Sequence, residues 1–326
     1  MNRKNIVLPA LPLVVMAFLL ISVCLNSIYA LSNQVGDHTG SIVWDGLERT
    51  YLVHIPPSYD KDKTLPLVIV LHGGGGTGED QVKLTEGGLN TLADKEGFIV
   101  VYPDGFDKHW NDGRSGEETG YRTQEENIDD VGFISSLISY FIKELNIDPK
   151  RVYVTGMSNG AMMSYRLACE LTEKIAAVAP VAGNMPQNLS LTCSPSIPIS
   201  VLAINGVNDP IMPWEGGDIT GTFGVNKQGK VLSVSETVMF WVNHNYCSPQ
   251  PLTSYEPDKD PQDGTRVYKE VYDGCEDGTE AILYAIEGGG HAWPGGLQYP
   301  EIVVGKASQD IDANEVIWNF FKRHVR

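Results

Sequence analysis

The sequence predicts an α/β fold, in which a mostly parallel central sheet is covered by helices on both faces within a single domain. Short, wholly apolar runs rich in Val and Ile alternate along the chain with segments of helical periodicity, and no linker or repeat divides the 326 residues. Strands buried on both faces are continuous apolar runs, and their alternation with helices is typical of parallel sheets. The composition, 42% hydrophobic and 20% charged, provides a sizeable core and excludes general disorder.

The individual elements follow from local patterns. Residues 41–55 alternate apolar and polar positions around Asp45-Gly46, which predicts a β-hairpin. Buried strands are predicted at 67–71, 98–102, 151–155, 175–181, 199–204 and 281–286. Helices are predicted at 80–96, 129–145, 159–171, 233–246 and 308–324. The polar segment 104–128 is predicted to be a long surface loop, and segment 248–280 a loop or a small β excursion.

The net charge limits the partners of the protein. The chain carries 24 Lys and Arg residues against 41 Asp and Glu residues, a formal net charge of −17. Such a surface repels phosphate backbones and is not attracted to anionic membranes. We therefore expect no nucleic-acid partner.

The N-terminal segment has the organisation of an export signal. Arg3 and Lys4 precede an almost wholly apolar stretch at 11–25, and Ala30 ends a candidate cleavage site. The stretch is short for a spanning helix, which needs about 20 residues, so a retained anchor is the less favoured alternative. A lipoprotein anchor at Cys24 is disfavoured by the bulky residue before it. We predict a signal peptide at 1–30, a mature domain at 31–326, a secreted (extracellular or periplasmic) location, and no membrane association after cleavage.

The remaining cysteines indicate disulfide bonds. Cys169, Cys193, Cys247 and Cys275 form an even set in an exported chain. Of the three possible pairings, sequence proximity favours Cys169–Cys193 and Cys247–Cys275, and buried free thiols are the alternative. None of the four lies in a C-x-x-C pair, so zinc and redox chemistry have no support.

The most specific motif is Gly156-Met157-Ser158-Asn159-Gly160, between a predicted strand and a predicted helix. A G-x-S-x-G sequence in this context is typical of a nucleophile elbow. Glycines flank such a serine because larger side chains would collide in the sharp turn, and the hydroxyl then lies at a helix N-terminus, which favours negative charge. The alternative is a glycine-rich turn whose serine has no chemical role.

A serine nucleophile needs a base, and three histidines follow Ser158. His244 and His324 fall within predicted helices. His291 follows three glycines directly after the last predicted strand, at the end where a base can reach the serine. We therefore predict His291 as the base, with a surface loop histidine as the alternative.

The base needs an acid, which in this topology lies between the serine and the histidine. Asp209 follows the predicted strand 199–204 by a few residues and could accept the Nδ1–H of the histidine. Asp218 is a rival further along the chain. We predict Asp209, although an aspartate before a proline can also have only a turn-forming role.

The run His72-Gly73-Gly74-Gly75-Gly76 follows the predicted strand 67–71. In hydrolases with a nucleophile elbow, this loop and the residue after the serine supply the two N–H groups that bind the oxyanion. We predict these donors at Gly74 and Asn159.

The same run also matches G-x-G-x-x-G, at Gly73, Gly75 and Gly78. A dinucleotide site is disfavoured because Asp104, the nearest acid after the following strand, is too distant and lies beyond a proline. A P-loop is excluded because Glu79 stands where lysine is required. No cofactor is expected.

The acidic segment around Asp258, Asp260 and Asp263 suggests a calcium loop, but its glycine is displaced and Lys269 occupies the closing glutamate position. We interpret the segment as a solvated acidic loop, and we predict no metal site.

Three tryptophans lie near the predicted strand-end loops: Trp110, Trp214 and Trp293. Tryptophan is more often a core residue. We also consider these three as apolar walls of a substrate cleft.

Several stretches together resemble one family, the polyhydroxybutyrate depolymerase-like esterases, which include feruloyl and acetyl-xylan esterases of the α/β-hydrolase superfamily. The matching stretches are 71–76, 130–133, 151–169, 209–217 and 289–295, and they span most of the chain after the predicted signal. The resemblance implies a single α/β-hydrolase domain. One departure is the segment 205–208, Asn-Gly-Val-Asn, where relatives more often carry His-Gly-Thr.

The resemblance also implies roles for individual residues. The nucleophile of the family falls on Ser158, its acid on Asp209, its base on His291, and its oxyanion donors on Gly74 and Asn159. Its paired cysteines imply the disulfides Cys169–Cys193 and Cys247–Cys275.

The predicted function is that of a secreted serine esterase that hydrolyses carboxylic esters through an acyl-enzyme. Polyhydroxybutyrate-type oligomers and feruloyl or acetyl esters of plant polysaccharide are the candidate substrates, selected by loops at 104–128 and 212–232. Two alternatives remain. One is a secreted serine peptidase on the same fold, with the acidic segment 117–130 as its amine site, and the other is a non-catalytic binding protein.

Overall fold

A computed structural model describes residues 34–115, 119–221 and 227–326 of the protein. The predicted export signal at 1–30, with Arg3, Lys4 and Cys24, lies outside these described residues. Across the three ranges, no helix combines the length and the apolar character that a membrane span requires.

The fold is built on a large mixed sheet. The described strands are β1 Gly36–Trp44, β2 Leu47–Ile55, β3 Leu65–Leu71, β4 Ile99–Pro103, β5 Ile147–Met157, β6 Ala177–Val181, β7 Ser200–Gly206, β8 Gly217–Thr220, β9 Lys227–Val231, β10 Leu252–Tyr255, β11 Arg266–Tyr272 and β12 Ala281–Glu287. Ten of them form one sheet in the order β1-β2-β4-β3-β5-β6-β7-β12-β11-β10. The strands from β4 to β12 in this order are parallel, and an antiparallel pair extends each edge. The predicted mostly parallel sheet is confirmed.

Among the described residues, seven helices lie in the connections between these strands and two follow β12. They are α1 Gly78–Leu84, α2 Gly88–Glu96, α3 Arg122–Glu125, α4 Asp130–Glu144, α5 Asn159–Glu170, α6 Gln187–Ser190, α7 Val234–His244, α8 Glu301–Val304 and α9 Ala313–Phe321. The predicted helix 80–96 is two helices, because Glu86 and Gly87 adopt left-handed backbone angles with φ of 52° and 68°. The last helix begins later than predicted, at the N-cap Asp312, whose side chain accepts from the amide of Asn314.

The sheet separates two apolar cores, and strand β3 shows how alternation divides its side chains between them. Leu67, Ile69 and Leu71 face the core that contains α4 residues such as Phe133. Val68 and Val70 face the opposite core, which contains α9 residues such as Phe321. Successive side chains of a strand point to opposite faces, so a continuous apolar run indicates burial on both.

Both predicted disulfides are present. Cys169 at the end of α5 is bonded to Cys193, and Cys247 after α7 is bonded to Cys275. The first bond joins the helix after the G-x-S-x-G turn to the segment that follows α6.

Candidate active site

Ser158 occupies a sharp turn between β5 and α5. Its backbone angles, φ 57° and ψ −114°, are rare for a residue other than glycine, which makes the turn a strained element. A Cβ atom at Gly156 would lie 2.7 Å from the carbonyl oxygen of Leu71, and one at Gly160 would collide with the carbonyl oxygens of Leu71 and His72. The two flanking glycines are therefore required by close backbone packing, as the motif predicts.

Asp209 and His291 lie at the ends of adjacent strands, because β7 pairs directly with β12. The Nδ1 atom of His291 is 2.7 Å from Oδ2 of Asp209, and both side chains are buried. The other carboxylate oxygen accepts from the amides of Ile211 and Met212, at 2.7 and 2.8 Å. With a carboxylate as its partner, Nδ1 carries the proton, and Nε2 is left unprotonated in the neutral ring.

Ser158 and His291 line the same cavity, which has a volume of about 350 Å³. One group of lining residues comes from α1, the end of β5 and the segment 299–304, and we call this group the α1 lobe; it consists of Asp80, Gln81, Leu84, Met157, Tyr299 and Val304. The other walls include Arg114, Tyr121, Met162, Ile211, Met212, Ile219 and Gln228. The cavity size is within the range of small-molecule sites.

The glycine run packs against the serine turn. A Cβ atom at Gly74 would lie 3.7 Å from Cβ of Asn159. The amides of Gly75 and Gly76 donate to the carbonyl oxygens of Lys108 and Gly73, whereas within the described part of the chain the amide of Gly74 has no acceptor. The first amides of α5, beginning with Asn159, also lack intrahelical acceptors. This arrangement is suited to binding a developing oxyanion.

His72 holds the glycine run to the following loop. Its Nε2 accepts from the amide of Gly105 at 2.9 Å, so its Nδ1 carries the proton and donates to the carbonyl oxygen of Gly73. Its own carbonyl oxygen accepts from the indole N–H of Trp110 at 3.0 Å. Burial lowers the pKa of the His72 imidazole, which keeps the ring neutral.

The segment 104–128 differs from the predicted surface loop. Asp112 is fully buried, bonded to Nδ2 of Asn159 at 2.6 Å and paired with Arg114 at 2.7 Å. Arg114 lines the cavity and donates to the carbonyl oxygen of Gln228 at 2.7 Å. Asp112 and Arg114 are buried because, besides each other, they bond to Asn159 and Gln228, which are distant in sequence, so no local pattern predicts their burial.

The structure corrects the expectation of tryptophan walls. Trp110 and Trp293 are fully buried, and the indole N–H of Trp293 donates to Asn314. Trp214 is partly buried against an apolar cluster. None of the three lines the cavity. Trp110 and Trp293 are core residues, and Trp214 packs against the edge of an apolar cluster.

The other sequence candidates lie apart from this cavity. His244 contacts the carbonyl oxygen of Ile197, and His324 bonds that of Phe320. Asp263 bonds the amide of Thr265 within its own loop. Over the described ranges, His, Cys, Asp and Glu side chains form no group of three or more that could hold a metal ion.

Segment 205–208, the departure from the family pattern, has a packing role at the strand end. The Nδ2 atom of Asn205 donates to Oδ1 of Asn184 at 3.0 Å, which joins the end of β7 to the segment after β6. Gly206 passes so close to Gly289 and Gly290 that it has no room for a side chain.

Comparisons with known proteins place the chain in a family. Residues 49–193 match the family model described as esterase PHB depolymerase. A putative esterase, NocK, from Nocardia uniformis subsp. tsuyamanensis is 30% identical over 285 residues, which cover 86% of this chain and 80% of that protein. A probable feruloyl esterase C from Aspergillus niger is 27% identical over 255 residues, covering 77% of this chain and 79% of that protein.

A solved structure shows the same fold. The acetyl xylan esterase from Aspergillus awamori aligns with a TM-score of 0.54 and 16% sequence identity, covering 78% of this chain and 94% of that one. At this identity the likeness is one of fold alone. The sequence match to NocK covers most of the chain, and the fold agrees with it. The chain therefore belongs to the PHB depolymerase family of esterases, which hydrolyse carboxylic esters.

Proposed function

We propose that the protein is a secreted serine esterase in which Ser158 is the nucleophile, His291 the general base and Asp209 the acid that orients it. The observation that carries this proposal is the 2.7 Å contact between His291 and Asp209 behind a cavity that His291 shares with Ser158. A strained serine turn at a helix N-terminus supports the same assignment.

The proposed reaction proceeds through an acyl-enzyme. The Ser158 hydroxyl oxygen attacks the ester carbonyl carbon while Nε2 of His291 takes its proton, and Asp209 stabilises the imidazolium. The oxyanion accepts hydrogen bonds from the amides of Gly74 and Asn159. The ester C–O bond then breaks, and the alcohol leaves with the proton from His291. Water, deprotonated by His291, attacks the acyl-enzyme and releases the carboxylic acid and free serine.

We propose feruloyl or acetyl esters of plant polysaccharide, or hydroxybutyrate oligomers, as substrates, in keeping with the names of the matched family and of similar esterases. A panel of methyl ferulate, acetylated xylan and hydroxybutyrate oligomer would separate these classes by their kcat/KM values. The residues that select among them line the two sides of the cavity.

The proposed nucleophile is tested by Ser158→Ala. Hydrolysis of p-nitrophenyl acetate and covalent labelling by a fluorophosphonate should both be lost while the thermal unfolding temperature is kept. Ser190→Ala, on the surface helix α6, is the matched control and should retain both. Full activity of Ser158→Ala would overturn the assignment.

The peptidase alternative has less support from the site. It needs an acid for the terminal amine of a peptide, and three acids of the segment 117–130 already have partners: Asp130 pairs with Arg49 at 2.7 Å, Asp129 bonds Gly132 and Trp44, and Glu126 pairs with Arg122 at 2.7 Å. We therefore expect hydrolysis of p-nitrophenyl acetate and none of peptide anilides.

Secretion is supported by the two disulfide bonds, which form in oxidising compartments. N-terminal sequencing of the exported protein should find residue 31 first. Recovery of the uncleaved chain in the membrane fraction would instead indicate a retained anchor.

A further inference from the structure

Gln81 is a buried polar residue in the wall of the cavity that the proposed reaction does not use. It lies on α1, the helix that follows the glycine run, and is one of the residues of the α1 lobe. Only 1% of its surface is exposed. Gln81 is therefore held inside the protein, beside the space that a substrate would occupy.

The side-chain amide of Gln81 lacks a partner. Among the described residues, its Nε2 atom has no hydrogen-bond acceptor, although its main-chain amide donates to Thr77 and its carbonyl accepts from Thr85. The Nε2 atom of the buried Gln124, by contrast, donates to the carbonyl oxygen of Trp110 at 2.9 Å. An unpaired buried donor destabilises a protein, so such a group near a binding cavity indicates a partner supplied by a ligand.

The surroundings of Gln81 define the chemistry of that partner. Leu84, Met157 and Val304 make this lobe mostly apolar, and Arg114, which lines the cavity outside the lobe, is paired with Asp112 at 2.7 Å. Its acid, Asp80, accepts a hydrogen bond from the hydroxyl of Thr77 and lies within 4 Å of Lys83. A neutral oxygen suits this lobe, because a carboxylate would meet no positive charge there.

We propose that Gln81 is a specificity-determining residue that donates a hydrogen bond to a neutral oxygen of the substrate other than those of the scissile ester. The terminal torsion of a glutamine side chain is broad, so the amide can turn its Nε2 atom towards the cavity. The protein then favours hydroxylated or multiply oxygenated esters, since a plain alkyl ester leaves the buried amide unpaired. This inference rests on the proposed esterase function.

Three pairs of esters that differ by one hydroxyl test the proposal. They are p-nitrophenyl 3-hydroxybutyrate against butyrate, methyl 4-hydroxycinnamate against cinnamate, and 2-hydroxyethyl acetate against propyl acetate. The first two pairs place the hydroxyl on the acyl part and the third on the alcohol part. The ratio of kcat/KM within each pair is measured for the full-length protein and its variants.

Gln81→Leu removes the amide with little change in volume. In at least one pair the preference for the hydroxylated ester should fall by about tenfold, with kcat/KM for the plain ester kept or increased, and the affected pair identifies the side bound by the lobe. Gln81→Glu, which replaces the donor by an acceptor at neutral pH, should lower the same ratio. Lys95→Leu, exposed on the neighbouring helix α2 and outside the cavity lining, is the control and should leave all three ratios unchanged.

Two outcomes would overturn the proposal, and they differ from a failure of the proposed function. Ratios that stay constant in all three pairs, with turnover intact, would make Gln81 a structural residue. Equal losses for the hydroxylated and plain esters would do the same, because they would report a general disturbance of the site. Absence of p-nitrophenyl acetate hydrolysis by the wild-type protein would refute the esterase function and with it this role for Gln81.

Discussion

Asn159 bonds both main-chain polar atoms of Trp110: its Oδ1 accepts from the amide at 2.8 Å, and its Nδ2 donates to the carbonyl oxygen at 3.0 Å. Asn159 directly follows Ser158, and the indole of Trp110 is bonded to the carbonyl oxygen of His72. The contact between Asn159 and Trp110 therefore joins the serine turn, the glycine run and the segment that forms one cavity wall.

Replacing Asn159 by alanine should weaken both the fold and the site. The change leaves the buried main-chain amide of Trp110 without its acceptor and removes one of the hydrogen bonds to the buried Asp112, so we expect a loss of about 2–4 kcal/mol in the free energy of unfolding. Turnover should fall less than in Ser158→Ala, because the main-chain amide at position 159 remains. Urea unfolding and p-nitrophenyl acetate kinetics measure the two effects. Asn188→Ala, at an exposed site on α6, is the control, and equal stabilities of the two variants would contradict this prediction.

Replacing Asp209 by asparagine should lower kcat roughly 10³–10⁴-fold with little change in the fold. The amide cannot stabilise the imidazolium of His291 and favours the wrong tautomer of the ring, as in serine proteases with the equivalent change. Steady-state kinetics measure the loss. Asp218→Asn, which changes the rival acid of the sequence on β8, should retain most activity; the opposite pattern would move the acid to Asp218.

The buried His72 should make the protein less stable at mildly acidic pH. Burial lowers its pKa in the folded protein, so the unfolded chain takes up a proton first. Its contribution to stability is thus complete above about pH 6.5, the pKa of an unperturbed histidine, and is lost as the pH falls towards the folded pKa. Urea unfolding at pH 7 and pH 5 should show this loss, and His72→Gln, which has no proton to gain there, should reduce it. An identical pH dependence in both proteins would exclude His72 as the cause.

The sequence predicted the elements of the fold best where the pattern is local. The apolar run 67–71 lies in β3. Its strand could be predicted because a strand buried on both faces is apolar at every position, a pattern that is visible in the segment alone. The helix 80–96 was predicted as one element, whereas left-handed angles at Glu86 and Gly87 divide it. Its second half begins where Gly88 packs closely against Asn314, a residue far along the chain, and that contact has no local signal.

The sequence by itself determined which side chains could perform the chemistry, because a sharp serine turn needs glycines at 156 and 160 and because glycine runs follow predicted strands. Only the tertiary structure decided what surrounds them. It paired Asp209 with His291 across two adjacent strands, buried Trp110 and Trp293 in the core, and placed Asp112 and Gln81 at the site. The physical reason is that burial and hydrogen-bond partners are set by residues distant in sequence, which meet only when the sheet has formed.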